Sequence, residues 1–113
     1  MKYKLFFLCF ISIIALNSCK NEIITCEITS PKDSDEFWRG EEIPVTVEAT
    51  SNKGAIIQVQ VFLDDNLMGS LTEPPFHFII PTDTLSARIY YLTAAAYSSS
   101  NREVHNIFVT IKE

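Results

Sequence analysis

Hydrophobic and polar residues alternate along most of the chain, in short segments separated by polar residues, glycine or proline. A period of two is typical of strands that bury one face, and no segment after Cys19 has apolar residues at helical spacing. β-branched and aromatic residues dominate these segments, as they do in sheets. The pattern predicts an all-β fold, a two-sheet antiparallel β-sandwich of about seven strands. These strands are expected at residues 23–29, 43–50, 56–63, 67–71, 76–80, 87–97 and 104–112.

Polar residues and prolines provide the breaks between these segments. Ser30-Pro31 ends the first strand, and residues 32–42 are predicted to form a polar loop that is interrupted by Phe37 and Trp38. Asp64-Asp65-Asn66 is expected to form a tight turn, because Asp and Asn tolerate positive φ and bond to their own backbone.

The alternation also assigns the faces of the strands. The aliphatic positions are expected to form the inner faces, and Tyr90 is placed where its ring would turn inward and its hydroxyl would bond to a backbone group. These inner positions are Ile24, Cys26, Ile28, Val45, Val47, Val59, Val61, Leu63, Phe76, Phe78, Ile80, Tyr90, Leu92, Ala94, Ala96, Ile107, Val109 and Ile111.

The opposite face of the strands at 56–63, 87–97 and 104–112 carries Phe62, Tyr91 and Phe108. These strands are expected to be neighbours in one sheet, so the three rings would cluster among Gln, Asn and Thr side chains. Exposed aromatics with a polar rim suggest a surface for contact with a partner. The alternative is that they are ordinary cross-strand pairs, each worth about 0.2–1 kcal/mol to the sheet.

Trp38 is the only tryptophan and follows Phe37 in the predicted loop. If Trp38 points outward, its ring would stack on a sugar ring or anchor a protein contact. Alternatively, Trp38 covers the open edge of the sandwich.

The segment before the predicted domain has the features of an export signal. Lys2 and Lys4 precede twelve almost wholly apolar residues at 5–16, which is too short for a helix to cross a bilayer of about 30 Å. Leu16-Asn17-Ser18-Cys19 follows and resembles the lipobox of bacterial lipoproteins.

That resemblance implies that residues 1–18 are a cleaved signal peptide. Cys19 would then carry a covalent diacylglycerol and an acyl chain, and residues 19–22 would be a lipidated tether. Three acyl chains make membrane anchoring effectively permanent. Lys20 occupies the position directly after this cysteine, where an Asp is associated with retention in the inner membrane. The Lys therefore favours an outer-membrane location, and the leaflet of that membrane is left open.

Charge and cysteine content narrow the function further. The whole chain has 9 basic and 14 acidic residues. Cleavage after residue 18 would remove two of the basic residues, Lys2 and Lys4, and no acidic one, so the remaining chain would have a net charge of −7. This balance argues against nucleic acid as a partner, since phosphate binding requires a basic face. Cys26 would be the one cysteine free of lipid, so no internal disulfide is expected.

The residues contain no recognisable catalytic constellation. His77 and His105 are the only histidines and are not at metal-ligand spacing, and Ser98-Ser99-Ser100 has the character of a turn. Asp33, Asp35 and Glu36 offer closely spaced oxygens for Ca²⁺, but a calcium loop needs six or more ligands and usually a glycine turn. The sequence therefore predicts no enzyme, no metal site and no cofactor beyond the lipid.

Several short fragments follow one another through the chain from Cys26 to its end. They are Ile28-Thr29-Ser30-Pro31, Phe37-x-x-Gly40, Ile43-x-Val45, Gly54-x-Ile56, Val59-x-Val61-x-Leu63-Asp64-Asp65-Asn66-x-Met68-Gly69, Pro74-Pro75-Phe76-x-Phe78 and Leu92-x-Ala94-x-Ala96. With these fragments, residues 26–113 resemble a bacterial immunoglobulin-like domain. The resemblance places an apolar residue at Phe37, which implies that Phe37 packs inward and Trp38 points outward. After the Ala-x-Ala strand such domains often continue with Asp-x-x-Gly, whereas this chain has Tyr97-Ser98-Ser99-Ser100.

Together these observations predict a signal peptide at 1–18, a tether at 19–22 and an immunoglobulin-like domain at 23–113. The expected function is that of a non-catalytic, lipid-anchored outer-membrane protein that contacts a protein partner, as an accessory subunit of an envelope complex. The alternative is a carbohydrate-binding accessory protein. A spacer without a ligand is the third reading, which a short tether disfavours.

Overall fold

The computed structural model describes residues 21–113, so the predicted signal peptide and Cys19 lie outside the described residues. Eight strands form the domain. Their bounds are β1 Ile24–Ser30, β2 Asp35–Trp38, β3 Ile43–Ser51, β4 Gln58–Leu63, β5 Asn66–Leu71, β6 Phe76–Ile80, β7 Ile89–Tyr97 and β8 Arg102–Lys112.

The strands form two sheets that pack face to face. One sheet has the order β1-β3-β6 and the other has the order β2-β8-β7-β4-β5. All pairs are antiparallel except β2 with β8, which is parallel. The predicted all-β sandwich is confirmed, and β4, β7 and β8 are neighbours in one sheet as expected. The seven predicted strands begin and end within two residues of the observed ones.

The prediction of a loop over residues 32–42 was wrong for four of those residues. Asp35–Trp38 forms β2, which pairs with residues 109–112 of β8. Its side chains alternate, so that Phe37 packs against the core while Trp38 faces outward. A short strand with two acidic residues has little hydrophobic pattern, and it exists because β8 offers a free edge.

The core lies between the two sheets and is built almost entirely from the predicted inner faces. Each fully buried aliphatic side chain stabilises the fold by about 1.5–3 kcal/mol relative to exposure. The exception among the predicted positions is Cys26, which is only half-buried at the margin of the core. The largest side chains with almost no exposure are Ile43, Ile80, Leu92, Ile111, Val45, Val59, Val61 and Val109.

Tyr90 forms the tyrosine corner that its position predicted. Its ring is buried, and its hydroxyl donates a hydrogen bond of 2.8 Å to the carbonyl oxygen of Ser86, four residues earlier. The guanidinium of Arg88 lies over the ring, 3.9 Å from its centre. These contacts fix the start of β7 against the loop that precedes it.

Thr82 joins two loops at one end of the sandwich. Its side chain is fully buried, and its hydroxyl donates to the carbonyl oxygen of Glu41 at 2.6 Å and accepts from the N–H of Gly40 at 2.9 Å. Gly40 has a φ of +101°, which side-chain-bearing residues rarely adopt. The loop between β2 and β3 is therefore held by one buried hydroxyl.

Glu22 was assigned to the tether, but the structure fixes its side chain to the domain. One carboxylate oxygen accepts hydrogen bonds from Ser98, Ser100 and Asn101, at 2.9, 3.1 and 2.9 Å, and the other accepts from Ser51. The hydrogen bond from Ser51 is the largest of the effects that lower the pKa of Glu22 to about 2. The ordered domain therefore includes this residue.

Candidate interaction surface

Phe62, Tyr91 and Phe108 lie together on the outer face of the five-stranded sheet. Tyr91 and Phe108 are directly opposite each other on β7 and β8, with ring centres 5.7 Å apart and planes at 89°. Phe62 on β4 is opposite Thr93, which is the next residue after Tyr91 on the same face of β7. Tyr91 and Phe108 are 42% and 52% exposed, whereas Phe62 is half-buried. The register thus brings the three predicted residues into one cluster.

Two aliphatic residues that the sequence analysis did not single out extend this cluster. Ile89 precedes Tyr91 by two positions on β7, and Leu67 on β5 is opposite Phe62. They are 61% and 54% exposed. We call the five side chains the aromatic band: Leu67, Phe62, Tyr91, Phe108 and Ile89.

A shallow depression of about 230 Å³ borders the aromatic band. Ala95 lies on the outer face of β7, yet it is buried, because the larger residues Gln60 and Val104 flank it on the neighbouring strands. Small side chains between larger ones leave a concave surface, which could receive a protruding side chain of a partner. The lining consists of Phe62, Asp64, Asp65, Thr93, Ala95, Arg102 and Val104.

Asp64 fixes the backbone beneath the aromatic band. Its carboxylate accepts the N–H of Tyr91 at 3.0 Å and a guanidinium N–H of Arg88 at 2.7 Å, while its own N–H donates to the carbonyl oxygen of Tyr91. The Tyr91 N–H, followed by the Arg88 guanidinium, holds the pKa of Asp64 below its ordinary value. Asp64 has a φ of +54°, as expected for an Asp in this predicted turn.

Polar pairs border the band on the same face. The hydroxyl of Thr93 donates to Asn106 at 2.7 Å, and the amide of Gln58 donates to Ser70 at 2.8 Å. An apolar centre with a satisfied polar rim is the usual anatomy of a protein interface.

Trp38 lies on the same face but not with the other three predicted residues. It is 54% exposed and pairs with Lys112 at the end of β8, four residues from Phe108 and so roughly 13 Å along the strand. The ammonium of Lys112 sits 4.5 Å from the centre of the indole and also bonds to Glu36 at 3.0 Å. One face of the indole is therefore covered by a cation.

The carboxylates considered for calcium already have partners within the chain. Asp33 accepts the N–H of Phe108 at 2.9 Å, Asp35 accepts the N–H of Lys32 at 2.9 Å, and Glu36 pairs with Lys112. Among residues 21–113 no three His, Cys, Asp or Glu side chains converge as metal ligands would.

The remaining candidate residues are tied to the scaffold. The Nδ1 atom of His105 accepts the N–H of Ile28 at 2.9 Å, and His77 bonds to Thr46 on the surface of the other sheet. Burial raises the pKa of the Cys26 thiol to about 11, so little thiolate forms at neutral pH.

No helix within residues 21–113 has the length and hydropathy needed to cross a bilayer.

The family described as "Bacterial Ig domain" matches residues 25–94, which cover β1 to the middle of β7. A comparison with curated proteins gives no match.

Several solved structures share the fold. The fibronectin(III)-like modules of Clostridium thermocellum CbhA align with a TM-score of 0.69 and 24% identity, over 78% of this chain and 96% of theirs. An endo-beta-1,4-mannanase from Thermotoga petrophila aligns with a TM-score of 0.67 and 14% identity, over 80% of this chain and 20% of that one. The Bacteroides uniformis beta-glucuronidase aligns with a TM-score of 0.59 and 16% identity, over 80% of this chain and 11% of that one.

Proposed function

The chain belongs to the bacterial Ig domain family, and from this premise we propose that it is a non-catalytic module whose aromatic band contacts a protein partner. The observation that carries the proposal is the exposure of large apolar side chains at one place. Ile89, Tyr91, Phe108 and Leu67 are each at least 42% exposed on one face of one sheet. Clustered exposure of this kind marks interaction surfaces.

The geometry of the band supports a protein partner in particular. Tyr91 and Phe108 meet edge to face, so they form an uneven surface with the depression at Ala95 beside it. Asp64 holds the backbone of Tyr91 in place, so that little conformational freedom is lost on binding. Aromatic residues in such settings commonly carry most of the binding energy of an interface.

We further propose that the module is a lipoprotein of the outer membrane and an accessory subunit of an envelope complex. The support is the apolar segment at 5–16 followed by Leu16-Asn17-Ser18-Cys19. A net charge of −7 after cleavage gives no attraction to anionic headgroups, so the acyl chains on Cys19 would have to hold the protein at the membrane. The membrane is thus one partner, and the protein in the complex is the other.

The test is a pull-down of the full-length lipidated protein from its native membrane in mild detergent, with mass spectrometry of the bound proteins. We expect one stoichiometric membrane or envelope protein, which the double variant Tyr91→Ser and Phe108→Ser loses. Ile79→Ser is the matched control, because Ile79 is 55% exposed on the other sheet. An empty wild-type pull-down, or a folded double variant that retains the partner, would contradict the proposal.

Carbohydrate binding is the second candidate, and the exposed indole of Trp38 is the observation in its favour. Lys112 covers one face of that indole, so a sugar would have to stack on the other face. Because Trp38 is the only tryptophan, its fluorescence reports binding directly. Quenching of this fluorescence by a glycan would support the function, whatever the effect of Lys112→Ala on it. Emission that no glycan alters would exclude stacking on Trp38.

A further inference from the structure

We propose that Glu22 acts as a latch that holds the end of the sandwich at which β1 begins close to the membrane. This inference rests on the proposed lipidation of Cys19. The side chain of Glu22 is bound at the end of the domain where β3 and β7 finish, by Ser51 and by the turn at 98–101. We call this end, with the loop at 52–57, the proximal end.

The four hydrogen bonds hold the start of the domain rigidly. Two residues of the turn, Ser98 and Asn101, also bond to each other through the backbone at 2.9 Å, so the donors to Glu22 are positioned in advance. The hydroxyl of Ser98 accepts two further N–H groups of the turn, from Ser100 and Asn101. An ionised carboxylate with several donors is bound more strongly than a neutral acceptor.

The short connection to Cys19 converts this attachment into an orientation. Three residue steps separate Cys19 from Glu22, so their Cα atoms can be at most about 11 Å apart. The proximal end must then lie close to the bilayer surface. The opposite end is formed by the loops at 39–42, 64–65 and 81–88, and the nine residues of β7 place it roughly 30 Å further away. We call it the distal end.

The charges of the two ends fit this orientation. The proximal loops at 52–57, 72–75 and 98–101 contain one basic and one acidic side chain, Lys53 and Glu73. The distal loops at 39–42, 64–65 and 81–88 contain five acidic and two basic side chains. An anionic membrane surface therefore repels the distal end more than the proximal one.

The orientation also locates the aromatic band. Tyr91 is six residues from the proximal end of β7 at Tyr97, which places it roughly 20 Å along the strand. The surface proposed to bind a protein partner is therefore held clear of the lipid and faces sideways from the long axis of the domain. Its partner is expected to project from the membrane by a similar distance.

The test measures the distance of each end from lipid in the full-length protein, purified in lipidated form and reconstituted into vesicles. Ser99→Cys labels the proximal end and Asp65→Cys labels the distal end; both residues are exposed. Cys26→Ala in both proteins removes the other thiol. A fluorophore on each cysteine is then read with a short-range quencher attached to lipid headgroups. We expect strong quenching at residue 99 and little at residue 65.

Glu22→Ala is the decisive variant and should lower the quenching at residue 99. Residue 65 stays the more distant label, because β1 still begins at the proximal end, where Ile23 and Asn52 bond to each other. Glu42→Ala is its matched control, because it removes an exposed carboxylate from the distal end and should leave the quenching at residue 99 intact. Ser100→Ala removes one donor to the latch and should give an intermediate result, even where Glu22→Ala lowers the stability of the fold.

The outcomes separate this inference from the proposed function. The mass of the N-terminal peptide shows first whether Cys19 carries lipid; its absence would overturn both. Lipidated protein in which the two labels are quenched equally, or in which Glu22→Ala and Glu42→Ala behave alike, would overturn the latch and leave the lipoprotein proposal standing.

Discussion

Replacement of Thr82 by Val should destabilise the domain, although the two side chains have nearly the same volume. The Thr82 side chain has no exposure, and its hydroxyl supplies both hydrogen bonds that join the loop at 39–42 to the loop at 81–88. Valine keeps the packing but offers neither a donor to Glu41 nor an acceptor to Gly40. The experiment therefore isolates the hydrogen bonds from the effects of shape.

The magnitude follows from the environment of the two partners. A net intramolecular hydrogen bond contributes about 1 kcal/mol, and a buried group left without any partner costs about 1–3 kcal/mol. Gly40 and Glu41 are exposed residues, so water can reach part of their backbone and the lower figure applies to each. We expect a loss of about 2 kcal/mol, which lowers the melting temperature of a domain of this size by roughly 10 °C.

Denaturation in urea, followed by circular dichroism and by the fluorescence of Trp38, measures this loss as a shift of the midpoint at constant slope. Thr82→Ser is the control, because it keeps the hydroxyl and removes one methyl group, at a cost of about 1 kcal/mol. A Val variant as stable as the Ser variant, or more stable, would refute the argument that the hydroxyl holds the loops together.

Three further variants test other contacts. Glu22→Gln should be less stable than the wild type at neutral pH and equally stable near pH 2. The ionised form of Glu22, whose pKa is lowered, stabilises the fold above about pH 4.5, and this contribution is lost as the pH falls to about 2; parallel pH profiles of the urea midpoint for the two proteins would contradict this. Gly69→Ala should cost about 1–3 kcal/mol, since a Cβ there would lie 2.7 Å from the ring of Phe78, and a thermal melt that does not move would show that the ring yields freely. Tyr90→Phe should lower the free energy of unfolding by about 1 kcal/mol, because it loses the hydrogen bond to the carbonyl oxygen of Ser86. An unchanged urea midpoint would show that this hydrogen bond makes no net contribution to stability.

Alternation was sufficient to predict the faces of the long strands. Each of β4, β7 and β8 places its predicted inner residues on the inner side, because a pleated strand turns successive side chains to opposite faces. It was not sufficient for β2, whose four residues include Asp35 and Glu36 and whose partner in the sheet is more than 70 positions away. Pairing with a distant edge leaves no trace in local periodicity.

The cluster of exposed apolar side chains was predicted in its centre and missed at its margins. The odd positions of β7 share a face, so Ile89 belongs with Tyr91 and could have been recognised from the same alternation. Leu67 could not, because a register shift between Val61 and Phe62 changes how β5 aligns with β4. Glu22 was equally hidden, since its partners are 29 to 79 residues away in the chain.

The bond between His105 and Ile28 bears on how copies of this domain behave when they are crowded together. A strand at the margin of a sheet exposes N–H groups to which the strand of another molecule can add, and this is a common route to aggregation. The imidazole of His105 occupies the N–H of Ile28 on the side of β1 that faces away from β3. A neighbouring chain would have to displace that ring before it could extend the sheet, so this margin of β1 is protected at its centre by a side chain from the opposite layer.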